Sequence, residues 1–371
     1  MRATRRARRE TPPIWPLPGA QTPAPGQPPS GPHPRRWPQI VLAALLLLVL
    51  GTGVAFWRLS ATVTSYPGAH FNVGRNAVWL EHVWAGQPHS GDEYDQLAAR
   101  LRAEQIGYVF AHVGPLQSDG TIPPDLAPNA SALASALHAR LPGIKVLAWI
   151  GQVELAGGYA PEESVNLTDS QVRFDIAHTA ARFVTDDGFD GVHYDIEPIV
   201  NNSARFLDLL DTTRKALPSG ALLSVVGEKW APDATAASLL YAAHRAGAWW
   251  TSYYYAAVAA KVDQVVAIIY DTGMPAAGLY TLTVKQETAN ILDAVRSARH
   301  PPQLLIGLPT YTGDSMWFHS SAENMGTGLS GVVAGLNSNR DTSAFTGVAI
   351  YRYASTSDAD WQTYDRVWLG K

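Results

Sequence analysis

From residue 72 onward, short apolar runs alternate with longer segments in which apolar residues recur every three or four positions. The short runs are rich in Val, Ile, Leu and aromatic residues, which is typical of buried parallel strands. Eight strands are predicted, at residues 76–80, 108–113, 145–151, 191–197, 222–226, 264–270, 303–308 and 347–351. Helices are predicted between and after them, at residues 92–105, 129–141, 170–187, 203–217, 232–245, 285–299, 322–336 and 358–367.

Eight strands that alternate with eight helices predict a (β/α)8 TIM barrel over residues 72–371. The alternative is a doubly wound open sheet, but no Gly-rich phosphate-binding loop follows the first strand to support it. In a barrel of this class, active sites lie at the C-terminal ends of the strands. Functional side chains are therefore expected at the strand ends.

Residues 40–57 form a separate, uncharged apolar segment. As a helix, 18 residues span roughly 27 Å, enough for the core of a bilayer. Residues 1–39 are basic and contain eleven of the 26 prolines, which predicts a disordered tail. Arginines before the segment place the tail in the cytoplasm and the barrel outside the cell, with a single-pass anchor at 40–57 and a tether at 58–71. A cleaved signal peptide is the alternative.

Charge is distributed unevenly along the chain. Residues 1–39 contain seven Arg and one Glu, which leaves 21 basic and 31 acidic residues, a net charge of −10, in the remainder. An acidic body argues against nucleic acid as a ligand. The chain has no cysteine, which excludes disulfides, thiolate metal sites and a cysteine nucleophile. Twelve Trp and fifteen Tyr serve either core packing or the binding of an uncharged ligand such as a sugar.

The fourth predicted strand, within residues 188–198, carries an unusual set of polar side chains. Alternate residues of a strand share a face, so His193, Asp195 and Glu197 lie on one face and apolar residues on the other. Two carboxyl groups and an imidazole are costly in an apolar core. The pattern therefore predicts that this face lines a polar pocket. A strand end with solvated charges is the alternative.

The remaining strand ends also carry carboxylates and aromatic residues. In chain order they contribute Trp79-Leu80-Glu81-His82, His112, Trp149, Glu228-Lys229-Trp230, Tyr270-Asp271, Tyr311 and Tyr351-Arg352-Tyr353. Acids for proton transfer and flat rings for sugar faces suit a carbohydrate site. His82 and His112 do not have the spacing of a metal-ligand set, and we predict no metal and no cofactor.

Residues 190–197, Asp-Gly-Val-His-Tyr-Asp-Ile-Glu, resemble the Asp-Gly-x-Asp-x-Asp-x-Glu signature of glycoside hydrolase family 18, the chitinase-like barrels. Residues 145–151, 262–271 and 305–311 resemble the third, sixth and seventh strands of that family, in the same order. The resemblance covers nearly all of 72–371 and none of 1–71. It implies a (β/α)8 barrel that hydrolyses glycans of N-acetylated amino sugars, such as chitin-like oligomers, peptidoglycan or another surface polysaccharide.

The resemblance also implies residue roles. Glu197 would be the general acid that later activates water, and Asp195 would hold the acetamido group of the substrate, whose own oxygen attacks the anomeric carbon. Tyr270 would support that oxygen and Asp271 would contact the sugar. The predicted catalytic residues are Glu197, Asp195, Tyr270 and His193. The predicted substrate-binding residues are Asp271, Trp149, Glu228, Trp230, Tyr311 and Tyr351.

The sequence departs from the family pattern at several positions. His193 stands where the family has its middle Asp, and it is either a proton relay or a core histidine. Ile268 stands where Met is common, Gln152 follows Gly151 where the family has a second Gly, and Tyr351 replaces the Trp under the sugar. These changes indicate a divergent member. They leave two other hypotheses open: a non-catalytic sugar-binding protein on the same barrel, and an interaction domain with no glycan role.

Overall fold

The computed structural model describes residues 67–155, 164–244 and 247–371, together with single positions at 41, 47 and 51. The described residues contain ten strands. In chain order they are β1 (Asn76–Leu80), β2 (Ile106–Pro115), β3 (Lys145–Val153), β4 (Gly191–Glu197), β5 (Leu222–Gly227), β6 (Lys229–Ala231), β7 (Trp249–Thr251), β8 (Gln264–Ile268), β9 (Gln303–Pro309) and β10 (Phe345–Tyr351).

Eight of these strands form one closed parallel barrel. Their order around it is β1, β2, β3, β4, β5, β8, β9 and β10, and β10 pairs again with β1 through Ala77 and Ala349. The predicted (β/α)8 TIM barrel is therefore confirmed, and the alternative of an open doubly wound sheet is wrong because the sheet closes on itself. The remaining strands, β6 and β7, form a separate two-stranded parallel sheet that the sequence did not predict.

Helices cover the outside of the barrel. In chain order they are α1 (Val83–Gly86), α2 (Gly91–Ala103), α3 (Ala130–Arg140), α4 (Ser170–Thr185), α5 (Ala204–Ala216), α6 (Ala234–Ala243), α7 (Ser252–Ala259), α8 (Ala277–Arg296), α9 (Met325–Ser338) and α10 (Asp358–Tyr364). Several begin at side chains that accept a backbone N–H of the first turn, as Ser90 does for α2, Asp169 for α4 and Ser203 for α5. These caps fix the helix starts close to the predicted positions.

Alternation along the strands divides the core into two layers. One set of strand residues, including Val78, Val109 and Val192, packs outward against the helices. The other set points into the barrel and includes Trp79 and Phe110. Inward-pointing side chains fill the interior of such a barrel, so only its C-terminal end is open for chemistry.

The predicted tail at 1–39 and anchor at 40–57 lie outside the described residues apart from single positions, as does most of the tether at 58–71. Within the part of the chain that the structure describes, no helix combines the length and the apolar character needed to cross a membrane. The anchor therefore stays a prediction from the sequence.

Candidate active site

A cavity of about 520 Å³ opens where β4, β8, β9 and β10 end. Its lining residues are Asp195, Glu197, Ile268, Tyr270, Asp271, Tyr311, Tyr351 and Arg352. The barrel thus brings six of the predicted site residues together from strands that are far apart in the sequence. Their position at the C-terminal strand ends is where barrels of this class carry out their chemistry.

Asp195 and Glu197 project from β4 into this cavity. Burial, followed by the negative charges of Asp195 and Glu228, raises the pKa of Glu197 well above its ordinary value of 4.5. The indole N–H of Trp149, from the neighbouring strand β3, donates a 2.8 Å hydrogen bond to Oδ2 of Asp195. Glu197 is therefore suited to hold a proton near neutral pH, beside a carboxylate that Trp149 keeps in place.

Three tyrosines form the opposite wall. The rings of Tyr270 and Tyr351 are stacked with centroids 5.5 Å apart, and the Tyr311 hydroxyl donates a 2.5 Å hydrogen bond to Oδ1 of Asp271. Burial raises the pKa of Tyr270 well above 10, so its hydroxyl stays protonated and can act as a donor. Asp271 adopts a φ of 53°, a left-handed conformation that Asp tolerates better than most residues.

His193 does not line the cavity but lies fully buried in the barrel. Its Nε2 accepts a 3.2 Å hydrogen bond from the Trp79 indole, which can only donate. Its Nδ1 lies 2.8 Å from the hydroxyl of Ser224, which donates in turn to Oε1 of Gln264 at 2.8 Å. The proton of the neutral imidazole must therefore be on Nδ1. The ring also stacks on Phe110 at 3.9 Å.

This geometry decides between the two interpretations of His193. Burial lowers its pKa from 6.5 to about 3, and both of its nitrogens already have partners, so neither is left for Asp195. The predicted role as a proton relay is corrected: His193 is a satisfied core histidine. Support for Asp195 comes from Trp149 instead.

Glu228 and Trp230, both predicted to bind substrate, do not line the cavity. The Glu228 carboxylate is buried and accepts backbone N–H bonds from Ile199 at 2.7 Å and Ala248 at 3.2 Å. The Trp230 indole donates to the hydroxyl of Ser252 at 3.0 Å. Glu228 thus fixes the backbone just after Glu197 rather than contacting a sugar, and burial raises its own pKa to about 7.

Three buried charged residues around the cavity are not among the predicted site residues, although the sequence places one of them, Lys229, at a strand end. The carboxylate of Glu287, on α8, accepts the backbone N–H of Trp230 at 3.0 Å, and that of Glu323 accepts the hydroxyl of Thr272 at 3.0 Å. Lys229 is 4 % exposed, and its charge lowers the pKa of nearby carboxyl groups, Glu197 among them. No local pattern marks the two glutamates, because each acts on a loop more than 50 residues away.

Comparison with known proteins agrees with the family resemblance of the sequence. The family model for the glycosyl hydrolases of family 18 matches residues 84–369. No curated protein matches the chain.

Solved structures share the fold at low identity. The spore cortex-lytic enzyme SleL of Bacillus cereus is 14 % identical with a TM-score of 0.52, covering 79 % of this chain and 74 % of its own. A class V chitinase from Pseudomonas fluorescens Pf-5 is 14 % identical with a TM-score of 0.52, covering 78 % and 98 %. A chitinase from Cycas revoluta, solved with allosamidin, is 14 % identical with a TM-score of 0.52, covering 79 % and 99 %. Because the family match spans most of the chain, the protein belongs to glycosyl hydrolase family 18 and is a glycoside hydrolase.

Proposed function

We propose that the protein hydrolyses glycans of N-acetylated amino sugars with retention of configuration, using the acetamido group of the substrate as the nucleophile. The observation that carries the proposal is the pairing of Asp195 and Glu197 at the cavity, with the pKa of Glu197 raised by burial and by its neighbour. Glu197 protonates the glycosidic oxygen as the bond to the anomeric carbon breaks. The acetamido carbonyl oxygen attacks that carbon and forms a cyclic oxazolinium ion.

The remaining groups hold the acetamido group in place. Asp195, fixed by the Trp149 indole, accepts the acetamido N–H, and the Tyr270 hydroxyl donates to the acetamido oxygen and holds it in position to attack the anomeric carbon. In the second step Glu197 takes a proton from water, which opens the oxazolinium ion with retained configuration. Asp271, the third carboxylate lining the cavity, accepts the Tyr311 hydroxyl, which supports a mechanism without a carboxylate nucleophile.

The variant Glu197→Gln tests the mechanism. Gln keeps the shape of the side chain but cannot donate the proton, so we expect kcat on a chitooligosaccharide or peptidoglycan glycan to fall by more than about 100-fold with an unchanged melting temperature. The matched control is Glu93→Gln, the same change at the exposed N-terminus of α2, where Gln preserves the capping box. Full activity of Glu197→Gln on a glycan that the wild type cleaves would reject the mechanism.

A non-catalytic sugar-binding protein is the second candidate, because neutral His193 replaces the acidic residue of the family signature. Calorimetry with chitooligosaccharides, followed by analysis of products, separates the two. Binding without any released product would favour the second candidate, and products with retained anomeric configuration would favour the first.

We also propose that residues 40–57 anchor the enzyme in the cell membrane, with the barrel outside the cell. The support is the uncharged 18-residue segment and the arginines that precede it. Fractionation of cells expressing the full chain or residues 60–371 tests this. We expect only the full chain in the membrane fraction, with its barrel open to protease added to intact cells; release of the full chain as a shortened soluble protein would indicate a cleaved signal peptide.

A further inference from the structure

Arg352, at the end of β10, is the one cation among the residues that line the catalytic cavity in the described part of the chain. Its side chain is 47 % exposed, so a ligand in the cavity can reach the guanidinium. It follows Tyr351 directly, and its charge acts on the Tyr351 hydroxyl. The proposed mechanism uses Asp195, Glu197 and Tyr270 and gives this guanidinium no role.

The contacts that Arg352 makes with the described residues leave its guanidinium N–H groups available. Among the described residues, its closest carboxylate is Glu81, just after β1, with Nε of Arg352 3.9 Å from Oε1 of Glu81. That distance exceeds a hydrogen bond, and the same Oε1 already accepts the backbone N–H of Ala354 at 2.8 Å. Glu81 therefore attracts and orients the guanidinium without occupying its N–H groups. A planar group held this way can bind a carboxylate through two parallel N–H bonds.

Balancing the acidic groups of the cavity is a competing explanation for Arg352. The structure gives that role to another residue: Lys229 is the cation whose charge acts on Glu197, Glu228 and Glu287. Arg352 instead lies at the exposed rim, next to the place a sugar would occupy over Tyr351. This position suits recognition of a ligand better than internal charge balance.

We propose that Arg352 binds a carboxylate on the glycan close to the scissile bond, so that the preferred substrate is an anionic N-acetylated amino-sugar glycan rather than a neutral one. The inference rests on the proposed function, since it concerns the substrate of the same cavity. The net charge of −10 outside residues 1–39 opposes anionic ligands at long range. Charges beyond about 8 Å are largely screened at physiological ionic strength, so this distant charge has little effect on a carboxylate that contacts the guanidinium.

The test compares three substrates: a neutral chitooligosaccharide, peptide-free strands of alternating N-acetylglucosamine and N-acetylmuramic acid with free lactyl carboxylates, and the same strands as methyl esters. We expect the wild type to cleave the free acid with a kcat/KM at least about 10-fold above the ester, the range expected for charged hydrogen bonds. In Arg352→Gln that preference should fall to about 1, and Arg352→Lys should retain part of it. The control is Arg366→Gln, an exposed arginine that does not line the cavity.

Equal rates on acid and ester in the wild type, or an acid preference that survives in Arg352→Gln, would overturn the inference while leaving the proposed function intact. So would cleavage of the chitooligosaccharide alone. If the wild type cleaves none of the three, the proposed function fails instead. Calorimetric binding of the free acid to wild type and Arg352→Gln then decides the role of Arg352: equal affinity rejects it, and a loss of 10-fold or more supports it.

Discussion

The neutral state of buried His193 predicts a specific dependence of stability on pH. Folding lowers the pKa of His193 from 6.5 to about 3, because the imidazole is buried with both nitrogens bonded. Below pH 6.5 the unfolded chain binds a proton at this residue that the folded protein does not bind. The stability that His193 contributes is therefore fully present above pH 6.5 and is lost as the pH falls toward 3.

The size of the effect follows from the shift. Each pH unit well below 6.5 costs about 1.36 kcal/mol, so wild type should lose about 2.5 kcal/mol from this residue between pH 7 and 4.5. Replacement by Asn removes the titration. It also leaves the buried Trp79 N–H without its acceptor, which costs about 1–3 kcal/mol at pH 7. We expect His193→Asn to be less stable than wild type at pH 7, and the difference in unfolding free energy should change by about 2.5 kcal/mol in favour of the variant at pH 4.5.

Urea unfolding at pH 7, 5.5 and 4.5 measures these differences, with residues 60–371 as the common background. His178→Asn is the matched control, because His178 is exposed on α4 and its hydrogen bond among the described residues is to the Phe174 carbonyl of its own helix. A wild type and a His193→Asn variant that lose stability in parallel would refute the reasoning. So would NMR showing the His193 imidazole protonated on both nitrogens at pH 6.

Three further variants test the groups around the carboxyl pair: two change the charges that set the pKa of Glu197, and one removes a hydrogen bond to Asp195. Glu228→Gln removes a negative charge that raises the pKa of Glu197, so the alkaline limb of kcat/KM should move to lower pH. Lys229→Met removes the cation that lowers this pKa, and the limb should move to higher pH. Trp149→Phe deletes the N–H that is hydrogen-bonded to Asp195, and we expect kcat to fall about 10- to 100-fold with a smaller change in KM. Single-turnover and steady-state rates measure these two changes.

Glu287→Gln is the control for the two charge variants. Glu287 is buried with a pKa raised to about 7, but the charges that shift the pKa of Glu197 most are those of Asp195, Glu228 and Lys229. We therefore expect Glu287→Gln to leave the alkaline limb in place. A limb that moves equally in Glu287→Gln and Glu228→Gln would show that the shift comes from general loosening of the site, and a limb that moves in neither would remove Glu228 from the tuning of Glu197.

The strands of the barrel could be predicted well because each strand is marked by its own residues and those next to it. β1 and β4 begin and end where predicted, since each is a buried run with polar neighbours at both ends. Helix α8, in contrast, begins at Ala277 and not at 285. Its first turns carry Tyr280 and Val284, residue types that favour strands. Both side chains are buried, and this burial overrides their preference for strands. The Tyr280 hydroxyl also donates to the carbonyl of Ile269.

Site residues could be predicted where the end of a strand places them in the cavity. They could not be predicted where contacts between distant loops decide what a side chain binds. Asp195, Glu197 and Tyr270 reach the cavity because strand ends in a barrel converge. Glu228 also follows a strand, yet its carboxylate turns to backbone N–H groups at Ile199 and Ala248, which only the folded loops bring near. The β6–β7 sheet escaped prediction for the same reason, as three-residue strands depend on their partner and not on their own pattern.

The replacement at His193 changes how the site is held together more than what it can do. Parallel pairing sets Trp149 opposite His193 and Gly151 opposite Asp195, so strand β3 is in reach of both β4 side chains. His193 uses its two nitrogens within the core, and Trp149 donates to Asp195 from the side. Asp195 is therefore held for the role that the proposed mechanism gives it, accepting an acetamido N–H, without an acidic neighbour at position 193. Since the pKa of Glu197 is raised by burial first and by Asp195 next, the proton needed for catalysis does not depend on His193.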